Sequence, residues 1–569
     1  MTVYRNRRAG TVKMRTTRAM ANTAKRYGAT PATLERRVVL ECAALAGSVA
    51  ILLGVVVPRG GDAAAHLYRT MLVEHGALVW DNLWFAGQYP LASYSLFYYL
   101  PAAVFGNTLL AAIAVVVSAV LFAMIVLRVW GPVARLPALA FALLAGGQFF
   151  TGDYPYTFGF AALLATLAAL QRRRTVVGLV SAALTLVCSP LAFFFLCLTL
   201  AALFFRSHRP RWREMKIGAA IVALAGIEVV ALAVFPSPHL LYPFTMWRFV
   251  LGLPVGILGL ALSLRSRSAR PLTSLFAVWI VATTIGYFVP SPLGHNLLRP
   301  ETLVFPMVLL AARLAKFRPR WLALAAVGSA FAANVGPYST TALARVVDKS
   351  ASAAFWAPLL SYVAHHGSAD YRLEVVPTIN HWEAYYVPNA GFAIARGWYQ
   401  QLDTGDNPAL YRHPLQPAVY RAWLRSVGVR YVVLAHTDPA GEATSERSLL
   451  LSGKSGLRRV FSAKDGQIYE LPHATPILTG TAPAAVRKLG ETTITGWTAR
   501  RGSYLLRIHY NSYWRLENGS VCLRRSRTGM TIIDAQHGGT FSLRADENAF
   551  AIVSGILDLG GAKSLACRS

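Results

Sequence analysis

The chain has 569 residues, of which 55% are hydrophobic and only 14% charged, and it carries a net charge of +30. Soluble chains are normally about one quarter charged, and a single soluble core stops growing at roughly 250–300 residues. The composition therefore excludes one large soluble globule and calls for many membrane spans. The positive charge does not point to nucleic acid. It crowds into the first 37 residues (Arg5, Arg7, Arg8, Lys13, Arg15, Arg18, Lys25, Arg26, Arg36, Arg37) and into short clusters between apolar runs. Anionic lipid and the positive-inside rule produce that distribution.

The first apolar run begins near Val38, too far in for a usual secretory signal, and reads as an uncleaved first span. A span needs about 20 apolar residues, somewhat fewer when buried in a bundle. Eleven candidates follow: 38–57, 107–127, 136–150, 157–170, 175–189, 190–205, 217–235, 249–264, 272–289, 302–316 and 321–335. With the N-terminus placed in the cytoplasm, the inside loops carry Arg128 and Arg135, Arg172 to Arg174, Arg206 to Lys216, Arg265 to Arg270, and Lys316 to Arg320. The outside loops carry only Arg59, Arg69, Arg248 and Arg299. This alternation predicts a cytoplasmic N-terminus and an extracytoplasmic C-terminal domain in a plasma membrane.

Residues 58–106 form the first outer loop of the transmembrane domain 38–336. The loop opens Pro58-Arg59-Gly60-Gly61-Asp62 and runs through Trp80, Trp84, Tyr89, Tyr94, Tyr98 and Tyr99. That aromatic density predicts one or two helices lying along the membrane surface. From Pro337 the texture changes, and 337–569 reads as a mixed α/β domain that becomes β-rich. Val427–His436 and Ser503–Trp514 read as strands, and Pro417–Gly428 as a helix ended by glycine. Cys42, Cys188 and Cys197 fall in apolar runs; Cys522 and Cys567 are placed to pair if the domain lies outside.

Asp62, His66 and Arg69 are spaced to share one helical face just after the first span. A carboxylate there can act as a base or bind a metal, and His and Arg can hold a phosphate. The alternative is a helix cap followed by a solvated polar stripe. Other ionisable residues collect on the same predicted side: Asp153, His239, Arg248, His295, Arg299 and Glu301. Such groups near membrane depth are costly and usually functional, the alternative for each being a snorkelling anchor or a structural ion pair, and Arg299 suits a phosphate better than an anchor. The stretch Asn380–Asp403 gathers His381, Trp382, Glu383, Tyr385, Tyr386, Arg396 and Trp398, residue types that stack on sugar rings and equally build a core. No Walker A, GxSxG, HExxH or metal-type Cys/His spacing occurs.

At "GDAAAHLYR…W…NLWFAGQYPLASYSLFYYLP" (Gly61 to Pro101) the chain resembles the membrane-embedded glycosyltransferases of the GT-C superfamily. Through "GDAAAHLYR", "WFAGQYP", "YPYTFGF", "GHNLLR", "ARGWYQQLD" and "YRAWLRSVGVRYVVL" it also resembles the YfhO-like integral membrane proteins of actinobacteria, also labelled 6-pyruvoyl-tetrahydropterin synthase-related. The first resemblance implies a polytopic α-helical fold and transfer of a sugar from a polyprenyl-phosphate donor to a cell-envelope glycan or lipid acceptor. It matches Asp62 to the acid that serves as base, with Asp153 as a second catalytic or acceptor-orienting acid. Arg299, His295, Arg69 and His66 are then candidates for the donor phosphate. Glu301, Trp84, His239, Trp382, Glu383 and Arg396 are candidates for the acceptor or sugar. Asp62 lacks the adjacent second carboxylate of some superfamily members, which leaves a divalent metal open. Two other classes remain: a lipid or polysaccharide transporter, and a non-catalytic envelope scaffold.

Overall fold

A computed structural model describes residues 31–56, 60–90, 94–147, 151–206, 211–235, 240–312, 321, 328 and 348–548. Packing divides the chain into two compact units. The first is Met1–Val57, Phe105–Val229 and Tyr242–Leu343; the second is Pro58–Val104, Val230–Leu241 and Ala344–Ser569.

The first unit is helical. Its helices include Pro31–Val56, Asn107–Trp130, Arg135–Leu144, Tyr154–Gln171, Thr175–Cys188, Pro190–Arg206, Trp212–Val234, Met246–Arg265, Thr273–Phe288 and Val304–Ala311. Five stretches are long and apolar enough to cross a membrane: Thr33–Val55, Asn107–Gly147, Trp212–Ala233, Met246–Arg265 and Arg270–Phe288; Thr175–Cys188 and Pro190–Arg206 are shorter apolar helices. Asn107–Trp130 shows how sequence sets such a span. Gly106 and Gly131 bracket it at φ 77° and 69°, conformations that stop a helix. Its 24 residues rise about 36 Å, enough for a hydrocarbon core of about 30 Å. Many large apolar side chains on these helices face outward, among them Ile51, Val55, Val222 and Phe288. Water would not tolerate that surface and lipid does. The described helices make the chain a multi-pass membrane protein. The count of eleven is not reached among the described residues, and nearly all of 321–335 lies outside them.

Side-chain pairs tie the loops of the first unit together. Arg135 binds Glu41 at 3.1 Å, Arg172 approaches Glu35 at 3.7 Å, and Arg213 Nε donates to Thr175 Oγ1 at 2.8 Å. These basic residues belong to the loops read as inside. Asp153 and Arg299, from two loops read as outside, also pair with each other.

The second unit joins residues 58–104 to the C-terminal segment. Strand β1 (Arg372–Val375) pairs in parallel with β2 (Val429–Ala435), and β2 pairs antiparallel with β4 (Gly466–Glu470), which pairs with β3 (Arg458–Ala463). The helix Pro417–Ser426 leads into β2, and Gly428 at φ 77° turns the chain between them. Two four-stranded antiparallel sheets follow. One has the order β10 (Val521–Arg525), β11 (Met530–Ala535), β8 (Gly502–His509), β5 (Leu478–Gly480). The other has β6 (Ala484–Leu489), β7 (Thr493–Thr498), β12 (Gly539–Ala545), β9 (Trp514–Asn518). Alternate residues such as Ile494, Tyr504, Leu506, Ile533, Phe541 and Leu543 build one core shared by both sheets. Cys522 is disulfide-bonded, and Cys567 lies outside the described residues.

The first outer loop departs from its sequence reading. The expected helix forms as Ala63–Glu74, but nine of its twelve residues are buried. Trp80, Trp84, Tyr98 and Tyr99 are almost fully enclosed, and Trp80 belongs to the β-sheet core. Trp80, Trp84, Tyr98 and Tyr99 are therefore enclosed by protein and not displayed as a belt of exposed rings. Ring density alone does not distinguish the two, because both environments reward large apolar faces with a polar edge.

Candidate functional site

The helix Ala63–Glu74 carries its three polar residues to one place, against the segment Arg396-Gly397-Trp398-Tyr399. Asp62 precedes the first turn, where an aspartate normally caps backbone amides. It makes no such cap. Its Oδ1 accepts a hydrogen bond from Trp398 Nε1 at 2.9 Å instead. The capping reading of Asp62 is thereby excluded, and the polar stripe is not solvated, since His66 and Arg69 are each 1% exposed.

His66 Nδ1 lies 2.9 Å from the Tyr99 hydroxyl, and Tyr94 meets the imidazole edge-on at 4.8 Å. Burial pushes the Tyr99 hydroxyl up to about 12, with the nearby Arg69 pulling the other way. Tyr99 therefore stays protonated and able to donate. Arg69 sits over three rings, Tyr399 at 5.3 Å, Tyr94 at 5.7 Å and Trp84 at 5.9 Å. Its guanidinium nitrogens make no hydrogen bond of normal geometry among the described residues. Ring faces attract a cation but do not satisfy its N–H groups. Arg69 is thus a buried cation suited to an incoming anion.

The wall around Arg69 depends on a close approach. A Cβ at Gly397 would lie 2.3 Å from the Trp84 ring, so only glycine lets the 396–399 segment lie flush on it. Trp84 stacks on Tyr68 at 4.4 Å and donates its Nε1 to the Ala384 carbonyl at 3.1 Å. Trp84 is therefore part of the wall. Trp382 is buried among Tyr385 and Tyr386. Glu383 accepts from Thr378 and faces His381.

Arg396 points away from this cluster into the core. It pairs with Glu374, with Glu446 at 2.7 Å and with Asp403 at 3.6 Å. Tyr420 donates to Glu446 at 2.6 Å and Tyr411 to Asp403 at 2.7 Å. Burial, reinforced by the neighbouring carboxylates, raises the Glu374 carboxyl well above its ordinary range despite Arg396. The guanidinium expected at a sugar is already taken up by three carboxylates.

The remaining candidates belong to the first unit. Arg299 Nη1 donates to Asp153 Oδ2 at 2.5 Å, its Nε donates to Asn296 Oδ1 at 2.9 Å, and its guanidinium lies 4.8 Å from the Tyr156 ring centre. Asp153 ends the turn before the helix Tyr154–Gln171, and Arg299 opens the short helix Arg299–Thr302. The residue read as a second catalytic or acceptor-orienting acid and the one read as phosphate-binder thus hold one another. His295 Nδ1 donates to the Pro243 carbonyl at 2.9 Å, which leaves Nε2 to accept from the Tyr242 hydroxyl at 2.9 Å. Both ring nitrogens are engaged, so His295 reaches a phosphate only by giving up a partner. Glu301 is buried and accepts from Trp279 Nε1 at 3.1 Å. His239 lies outside the described residues. Among the described residues no group of three or more His, Cys, Asp or Glu side chains is arranged to hold a metal.

Sequence reasoning gave Tyr94 and Tyr99 only a place among the surface aromatics of the first outer loop, no role to Gly397 or Tyr399, and none to Trp398 beyond its place in an aromatic-polar stretch. The motif "ARGWYQQLD" contains three of these residues, and its G-W-Y run between charged residues was the available signal.

No family model matches the sequence, and no curated protein matches it. The chain is similar in structure to the crystal structure of ArnT from Cupriavidus metallidurans bound to undecaprenyl phosphate. The TM-score is 0.44 and the identity 14%, over 77% of this chain and 98% of that one.

Proposed function

We propose that this protein is a membrane glycosyltransferase of GT-C type. It moves a sugar from a polyprenyl phosphate to a glycan or lipid acceptor on the outer face of the plasma membrane. The observation that carries the reading is the cluster on Ala63–Glu74: a non-capping carboxylate, a histidine hydrogen-bonded to a tyrosine, and a buried guanidinium lying over three rings. The acceptor oxygen attacks the anomeric carbon as the bond to the phosphate oxygen breaks. The polyprenyl phosphate leaves with the electron pair, and Asp62 takes the acceptor proton. Arg69, with His66 beside it, supplies positive charge where the leaving phosphate gains negative charge. Within the first unit, Arg299 is held by Asp153 and Asn296. The loop charges support a cytoplasmic N-terminus and an outer second unit. The pairing of Arg135, Arg172 and Arg213 with their neighbours supports the same grouping of loops.

The test uses a deletion strain. It should accumulate a polyprenyl-phosphate sugar, and the purified protein in nanodiscs should consume that lipid fraction when deletion-strain membranes supply the acceptor. A deletion strain with an unchanged lipid profile would end this reading in favour of a scaffold.

A further inference from the structure

We infer that His381 is a positioning residue for Asp62, acting through Trp398. The inference rests on the proposed role of Asp62 as the base. An indole has a single N–H, fixed in the plane of its ring. Whatever sets the plane of Trp398 therefore sets where the Asp62 carboxylate is held, 2.9 Å from Nε1. His381 sets that plane. Its imidazole lies face to face with the indole, with ring centres 3.3 Å apart and planes 8° from parallel.

His381 is itself unusually constrained. Its backbone has φ 54°, in the left-handed region that non-glycine residues rarely occupy. Its side chain is held between two acids: Nδ1 lies 3.2 Å from Glu383 Oε1, and Nε2 lies 3.7 Å from Glu442 Oε1. Carboxylates accept hydrogen bonds, so the imidazole nitrogen facing Glu383 carries its proton there. The other oxygen of Glu383 accepts from Thr378 N at 3.2 Å and Thr378 Oγ1 at 2.6 Å. A continuous chain thus runs Thr378, Glu383, His381, Trp398, Asp62, all within the second unit. Backbone strain at a residue over-determined by its surroundings is characteristic of functional positioning. A ring serving only to fill space would need neither the strained backbone nor the flanking acids. The consequence for Asp62 is that its carboxylate is drawn off the helix N-terminus and presented to the cluster that holds His66 and Arg69.

The test has a spectroscopic and a kinetic arm, both on the full chain in nanodiscs. With 15N-labelled indoles, the Trp398 Nε1–H resonance is identified by its loss in Trp398→Phe. Asp62→Asn should shift it. His381→Asn, which tolerates the left-handed backbone but removes the ring, should shift it as well. His381→Phe keeps a flat ring and should return it towards its native position. With the donor lipid fraction from the deletion strain as probe, His381→Asn should lower kcat by about ten- to a hundredfold with KM unchanged, the scale of a misplaced catalytic group. In a Trp398→Phe background the same substitution should add no further loss. An unmoved indole resonance in His381→Asn would overturn the inference. So would an equal kinetic loss in both backgrounds, which a merely structural role would give. Native protein that consumes no donor lipid would end the proposed function, while the resonance would still decide the contact.

Discussion

Two arginines, Arg69 and Arg396, lie buried in the same unit, and their surroundings are opposite. Arg396 meets three carboxylates, two of them held further by tyrosine hydroxyls. Arg69 meets three aromatic faces and, among the described residues, pairs with no carboxylate. A buried charge compensated on every side is a structural device. One left with ring faces alone is held at a cost that a ligand can relieve. The comparison teaches that residue type and burial do not mark a site, whereas missing compensation does.

The largest expected effect is on stability at the compensated arginine. Arg396→Ala leaves three carboxylates facing one another in the core and should destabilise the protein by about 3–5 kcal/mol, read by thermal or denaturant unfolding. Arg69→Met should break the symmetry between the two sites. It removes an uncompensated buried charge, so unfolding should stay within about 1 kcal/mol of the native protein or improve, while transfer is lost. Comparable destabilisation in both variants would make Arg69 a structural residue. Next in size is Gly397→Ala, which forces a methyl into the Trp84 ring and should cost about 1–3 kcal/mol together with transfer activity.

A smaller effect separates the cluster from its support. Asp81 accepts from the Tyr68 hydroxyl at 3.0 Å and Leu83 N at 2.9 Å. Burial pushes its carboxyl from 3.8 up to about 7. Between those values the folded protein binds more protons than the unfolded chain, so stability is fully present below about pH 4 and falls as pH rises through 7. Asp81→Asn should flatten that fall in a pH series of melting temperatures. An unchanged slope would remove Asp81 as its source.

The apolar runs and the alternation of loop charges made the membrane class and most helices legible in sequence, because lipid imposes length and hydropathy directly. Local periodicity also gave Ala63–Glu74, β2 and the helix Pro417–Ser426. The run read as one strand from Ser503 to Trp514 is instead β8 and the start of β9, separated by a break after His509 that apolar alternation did not reveal. The partners of Asp62 and Arg69 were not legible. Trp398 and Tyr399 lie more than 300 residues away in sequence, and no local pattern records that they close over the first loop. The same limit applies to Arg396, which as a motif residue looks like a ligand for sugar and is a core ion pair only because Glu374 and Glu446 arrive from distant segments.

The central claim is that Asp62 is the base, and Asp62→Asn tests it most directly. The substitution keeps the shape and can still accept from Trp398 Nε1 through the amide oxygen, while removing the basic oxygen. Consumption of the accumulated donor lipid by purified protein in nanodiscs should fall by about 10²–10⁴-fold with unfolding unchanged. Consumption at the native rate would contradict the account.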